Sequence, residues 1–133
     1  MELNTFKSFL GTPVYEDKDV LIYQGDSLLL MNKLPAECLP LTVTSPPYNI
    51  GKEYESILSL EDYIKWTAKW INQVYHCTSS HGAFWLNLGY LSIPNSAKAI
   101  PIPYLIWDKV PFYLIQEIVW NYGAGVAGKL FFS

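Results

Sequence analysis

There is no arginine in this chain. All nine basic residues are lysines, set against twelve acidic ones, and the formal net charge is −3. Arginine is the usual side chain for bidentate contacts to phosphate and guanine. The composition therefore gives no electrostatic case that the chain grips a nucleic acid by itself. Charge of either sign is scarce, at 16% of residues, while half the chain is hydrophobic. That balance builds a core and argues against disorder. Long apolar runs are also lacking. The most apolar region, residues 100–115, is broken by three prolines and by Asp108 and Lys109. Nothing approaches the roughly 18 apolar residues of a membrane span. The first residues lack the basic start and apolar centre of a secretion signal. Cysteine is limited to Cys38 and Cys77, with no CxxC pair and no Cys/His spacing that suits zinc. Two small buried hydrophobes are expected there. These absences predict a cytoplasmic protein with no metal and no membrane contact. A length of 133 residues allows at most one ordinary domain.

What is present alternates. Residues 1–19 read as a loosely structured lead-in. "VLIYQ", residues 20–24, is a short β-rich run. "SLLLMNKL" then carries helix-forming residues, with Asp26 placed to cap them. Pro35 stops that helix. "LPLTVTS" is a second strand, rich in β-branched residues. "SLEDYIKWTAKWINQVYHCT" begins with Ser59 and Asp62 in capping-box spacing. Its Leu60, Tyr63, Ile64, Thr67, Ile71, Val74 and Tyr75 fall on one helical face. "AFWLNLG" is a strand after a turn at Gly82, and "YLSIPNSAKAIPIP" reads as a loop. "YLIWDKVPF" is ambiguous, and "LIQEIVWNY", residues 114–122, reads as a further strand. Strands separated by helices predict an α/β layer fold with parallel pairing. In such sheets ligands bind beyond the carboxyl ends of the strands.

The tail "GAGVAGK" mimics two phosphate-binding fingerprints. Both require a helix directly after the glycines, and only Leu130 to Ser133 follow. A surface loop is the better explanation.

"TSPPY", residues 44–48, falls at a strand end. Pro46 and Pro47 fix the backbone and remove two N–H donors. What remains is acceptors, the Ser45 hydroxyl oxygen and the Pro46 carbonyl, beside the aromatic face of Tyr48. Such a site suits a flat ring that carries an NH2 group. Stacking a base on an aromatic side chain contributes roughly 1–3 kcal/mol, comparable with the few kcal/mol needed to draw a base from a duplex. Acceptors aimed at the amine would stabilise the charge that develops as its nitrogen attacks. On composition alone, a proline-rich turn closing a strand remains the better account.

The motif itself resembles the catalytic motif of DNA amino-methyltransferases. "LTVTSPPYNIGKEYE" is similar to the β-class, circularly permuted members. "YQGDSL" before it, the helix and strand after it, and the late "EIVWNYGAG" are similar to the same family. The resemblance implies a Rossmann-like sheet and methyl transfer from S-adenosylmethionine to an exocyclic base amine. The resemblance also implies double-stranded DNA with the target base flipped out. It makes Ser45, Pro46, Pro47 and Tyr48 the catalytic motif and puts Asp26 beside the cofactor. Weaker candidates for DNA or the base pocket are Asn49, Lys52, Asn87, Trp120 and Lys129. For the lysines a solvated charge, and for Trp120 core packing, is the simpler reading. Ser at the first motif position points to cytosine N4, with adenine N6 as the alternative. The family's Phe-Gly-Gly cofactor motif and target-recognition region are not found in this sequence. The expectation is therefore a partial catalytic domain over residues 20–133. It would be a truncated product, an inactive remnant, or one half of an enzyme completed by a complementary C-terminal chain.

Overall fold

The computed structural model describes residues 2–53, 56–93 and 98–121. Its organising element is one long helix, Leu60–Cys77. The Ser59 hydroxyl accepts from the Asp62 N–H and donates to the Asp62 carboxylate. Glu61 and Asp62 in the first turn complement the helix dipole. The buried face is Tyr63, Thr67, Trp70, Ile71, Val74 and Cys77. It differs from the expected face at its margins. Leu60 and Tyr75 are exposed, and Trp70 is buried instead.

Two strands run parallel on that helix, Leu39–Thr44 before it and Thr78–Leu86 after it. The expected parallel pair with a helical crossover is present. Leu41, Thr42, Val43 and Thr44 pair with Ala83, Phe84, Trp85 and Leu86, and a bulge precedes them. Gly82 sits inside the second strand, not in a turn before it. A Cβ there would lie 2.7 Å from a Thr78 methyl and 3.0 Å from the Leu39 carbonyl. Only glycine lets the bulged strand pass so close.

Numbered in chain order, the elements are α1 (Leu3–Leu10), β1 (Tyr15–Glu16), β2 (Leu21–Ile22), α2 (Ser27–Met31), β3 (Leu39–Thr44), α3 (Leu60–Cys77), β4 (Thr78–Leu86), β5 (Tyr90–Ile93), β6 (Lys98–Pro101) and α4 (Ile102–Ile106), which runs into a 3-10 turn at Trp107–Lys109. The class is α/β, as expected, with three two-stranded sheets among the described residues. Leu91 from β5 and Ile102 and Ile106 from α4 complete the core against α3. No helix among the described residues is long and apolar enough to cross a membrane.

Three local expectations are overturned. The lead-in is ordered: α1 presents Leu3, Phe6 and Leu10 to a groove shared with Leu21, Leu34 and Leu39. Gly11, at φ 81°, ends it and donates its N–H to the Lys7 carbonyl. The β1–β2 hairpin turns on Asp17, whose carboxylate accepts from the Asp19 and Val20 N–H groups. The expected loop over residues 90–103 instead holds the β5–β6 antiparallel pair and the start of α4. The expected strand at residues 114–122 is not one over its described part, 114–121. Its β-branched residues have no partner strand among the described residues, and Trp120 is 71% exposed where core packing was expected. The glycine tail lies outside the described residues.

β3 is unusual in which side chains face inward. Thr42 and Thr44 are half-buried, whereas Leu41 and Val43 are exposed, Val43 by 70%. Ala83 and Trp85 of β4 are exposed with them. One face of the sheet packs on the core, and the other is an open apolar surface.

Candidate active site

Because β3 and β4 are parallel, both carboxyl ends emerge at the same edge. Thr44 pairs with Leu86, so the residues that follow, Ser45 and Asn87, come side by side. The Asn87 N–H donates to the Thr44 carbonyl at 2.9 Å and extends the ladder by one step. The Ser-Pro-Pro-Tyr turn then brings Tyr48 back over the strand end. The Ser45 Oγ and Tyr48 hydroxyl are 2.6 Å apart and share a hydrogen bond. The Asn87 side-chain amide donates to the Tyr48 oxygen at 3.1 Å and to Ser45 Oγ at 3.4 Å. Three polar groups from two strands therefore meet at one point.

The prolines do what their chemistry dictates. Neither has an N–H, so their main chain can be tied down only through a carbonyl. Tyr63, from the first turn of α3, donates its hydroxyl to the Pro47 carbonyl at 3.1 Å. The Tyr63 ring is 1% exposed, so this tie starts from a fixed point in the core. The Pro46 carbonyl accepts from no donor among the described residues. Next to Pro47, the Tyr48 ring lies against Gly89, where a Cβ would be 3.1 Å from Cδ2.

The weaker candidates separate. Asn49 adopts φ 59°. Its amide is spent at both ends on Leu58, donating to the carbonyl at 2.9 Å and accepting from the N–H at 2.7 Å. It closes the loop from 49 to 58. Lys52 is exposed on that loop. Asn87 is in the cluster. Trp120 is an exposed side chain outside any strand. Lys129 lies outside the described residues.

Asp26 caps α2 as expected. Its Oδ1 accepts from the Leu28 N–H at 2.8 Å and the Leu29 N–H at 3.1 Å. Its Oδ2 accepts from no donor among the described residues. An exposed carboxylate oxygen of this kind matches hydroxyl donors such as a ribose diol. Sequence reasoning missed Tyr63 and Gly89 as parts of the site. Tyr63 was visible only as a core position, and nothing local connects it to Pro47, sixteen residues earlier.

The sequence profile of the family described as "DNA methylase" matches residues 39–130. The chain belongs to this family. It is 60% identical over 131 residues to the Type II methyltransferase M.ScaI of Streptomyces caespitosus, covering 98% of this chain and 43% of that protein. It is 30% identical over 102 residues to the Type II methyltransferase M.BglII of Bacillus subtilis, covering 74% of this chain and 28% of that protein. It is 32% identical over 112 residues to the DNA adenine methyltransferase YhdJ of Escherichia coli strain K12, covering 81% of this chain and 35% of that protein. The chain thus spans less than half the length of these relatives. The DNA methylase family is an enzyme family, and its matched segment begins at β3 and includes the whole Ser45–Tyr48–Asn87 cluster.

Proposed function

We propose that the chain carries the base-amine half of a site-specific DNA amino-methyltransferase of the restriction–modification type, acting on cytosine N4 in the cytoplasm. The observation that carries this reading is the cluster itself. An aromatic ring and a serine oxygen meet beyond the carboxyl ends of two parallel strands, next in sequence to a proline carbonyl that accepts from no donor among the described residues. The target base is drawn out of the duplex and stacks on Tyr48. Ser45 Oγ and the Pro46 carbonyl accept the amine hydrogens. These fixed dipoles favour the positive charge that develops on the attacking nitrogen. Pro47 holds the turn rigid through its bond from Tyr63. S-adenosylmethionine, when bound, supplies a methyl group activated on a sulfonium sulfur. Asp26 Oδ2 would hold the adenosine end by accepting from its hydroxyls. Lys52 and Lys129 would meet DNA phosphates, and Trp120 would line the base pocket. Asn49 serves this surface indirectly, by shaping the loop that bears Lys52.

The open face of Leu41, Val43, Ala83 and Trp85 supports a further part of the proposal. Parallel sheets are ordinarily covered on both faces, and contiguous exposed apolar surface marks a contact surface. A complementary segment, corresponding to the part of the longer relatives that this chain does not match, would cover it and complete the cofactor site. Adenine N6 is the second reading, favoured by the similarity to an adenine methyltransferase.

The test is methylation of unmethylated DNA by this chain together with the remainder of the 60%-identical relative. Nucleosides from the product are identified by mass spectrometry. N4-methyldeoxycytidine is expected. N6-methyldeoxyadenosine would replace the cytosine reading with the adenine one. Transfer that persists undiminished with Ser45→Ala would overturn the proposed chemistry.

A further inference from the structure

We infer that Asn87 is a positioning residue for the methyl transfer, acting through Ser45 and Tyr48 without touching the substrate. The inference rests on the function proposed above.

The argument begins with how Asn87 arrives. Its main chain is locked by the bond from its N–H to the Thr44 carbonyl at 2.9 Å. The side chain therefore leaves a fixed point, one step beyond the Thr44–Leu86 pair. A short side chain on a fixed backbone loses little entropy when it binds. The amide then donates to both oxygens of the Ser45–Tyr48 pair, at 3.1 Å and 3.4 Å. Two hydroxyls alone would form one bond with a single rotatable geometry. A donor that reaches both oxygens converts the pair into a closed triangle. That triangle fixes where Ser45 Oγ and the Tyr48 hydroxyl stand.

The residues next to Asn87 support the same task. Leu88 packs against the core cluster. Gly89 leaves space for the Tyr48 ring, which a Cβ would crowd at 3.1–3.5 Å. The turn Asn87-Leu88-Gly89 thus holds the hydroxyl, anchors in the core and clears the ring. Its chemistry also suits the proposed substrate. The amide presents N–H donors to the pair, so it does not compete with Ser45 Oγ and the Pro46 carbonyl for the amine hydrogens. Misplacing an acceptor by a fraction of an ångström lowers the rate of a reaction that depends on near-attack geometry.

Asn87→Ala keeps the backbone bond to Thr44 and removes only the side-chain contacts. In the enzyme assembled from this chain and the remainder of the relative, single-turnover methyl transfer is measured at saturating S-adenosylmethionine. DNA affinity and melting temperature are measured beside it. Asn87→Ala is expected to slow transfer about tenfold, the size of one lost hydrogen bond, while DNA affinity stays within about twofold. In a Ser45→Ala/Tyr48→Phe background the same change is expected to have little further effect, because both oxygens that the amide reaches are gone. Equal slowing in both backgrounds, or an effect confined to DNA affinity or melting, overturns the inference. If Ser45→Ala slows transfer and Asn87→Ala does not, the inference fails and the proposed function stands. If Ser45→Ala does not slow transfer, the proposed function fails as well. A second measurement needs no activity. In the isotopically labelled chain, the Asn87 side-chain amide signals are expected to shift with Tyr48→Phe and with Ser45→Ala, and signals unmoved by both overturn the inference.

Discussion

Removing the Tyr63 hydroxyl tests whether the catalytic turn is held from the core. In Tyr63→Phe the ring keeps its place in the core, where Tyr63 is 1% exposed, and the 3.1 Å bond to the Pro47 carbonyl is lost. A typical intramolecular hydrogen bond contributes about 1 kcal/mol net. Pro47 itself is exposed, so water can solvate its abandoned carbonyl. The cost should therefore stay near about 1 kcal/mol and not approach the larger penalty of a stranded buried acceptor. Tyr63→Ala is different in kind. It empties a fully buried aromatic site on α3 and should cost about 3–5 kcal/mol. Urea denaturation followed by circular dichroism separates the two. With a slope of about 2 kcal/mol per molar, Tyr63→Phe should move the midpoint down by about 0.5 M. Tyr63→Ala should shift it several times further or abolish cooperative folding. The hydroxyl also reaches the site, so Tyr63→Phe in the assembled enzyme should slow methyl transfer through a looser turn. A Phe variant with unchanged midpoint and unchanged transfer would refute the idea that α3 pins the turn.

The other expectations are briefer. Tyr48→Phe should lower turnover by the loss of the hydroxyl cluster, about tenfold, and Tyr48→Ala by roughly a further 5- to 150-fold, from about 1–3 kcal/mol of lost stacking; equal losses would sink the stacking role. Gly89→Ala should reduce turnover while leaving folding cooperative, since its Cβ meets the Tyr48 ring at 3.1 Å; steady-state methylation beside a urea titration checks this. Thr67→Val should raise stability by about 1 kcal/mol, because the buried Thr67 hydroxyl has no partner among the described residues; a lower denaturation midpoint would contradict it. Burial pushes both the Cys38 and Cys77 thiols above the ordinary thiol range. Alkylation of the folded protein should therefore be slow and should accelerate only at higher pH than a free thiol does, with both cysteines labelled readily in urea. The linked effect on stability is absent below the unfolded thiol range. Stability falls as pH rises through and above that range, where the unfolded chain ionises first.

The parts of this protein that were legible in the sequence are those decided within a few residues. Asp26 caps α2 and Ser59 caps α3 because capping is a contact across two or three residues. The β3–α3–β4 unit follows from one amphipathic period between two β-rich runs, and parallel pairing follows from the length of the crossover. The Ser-Pro-Pro-Tyr turn at a strand end was legible for the same reason. A helix at residues 3–10 could have been read from Leu3, Phe6 and Leu10 followed by Gly11. Strand identity elsewhere was not local. Residues 90–101 carry two prolines and read as a loop, but each half found the other as a partner. Residues 114–121 carry β-branched residues with no partner among the described ones, and propensity alone does not make a strand. The burial of Trp70 over Tyr75 depended on which side α4 and β5 pack. The site itself divides in the same way. Its residue types were written in the chain, but the meeting of Ser45, Tyr48 and Asn87 depends on the β3–β4 register, where a shift of one residue would turn Asn87 to the opposite face. The tie from Tyr63 to Pro47 likewise exists only because α3 folds back across the strand ends.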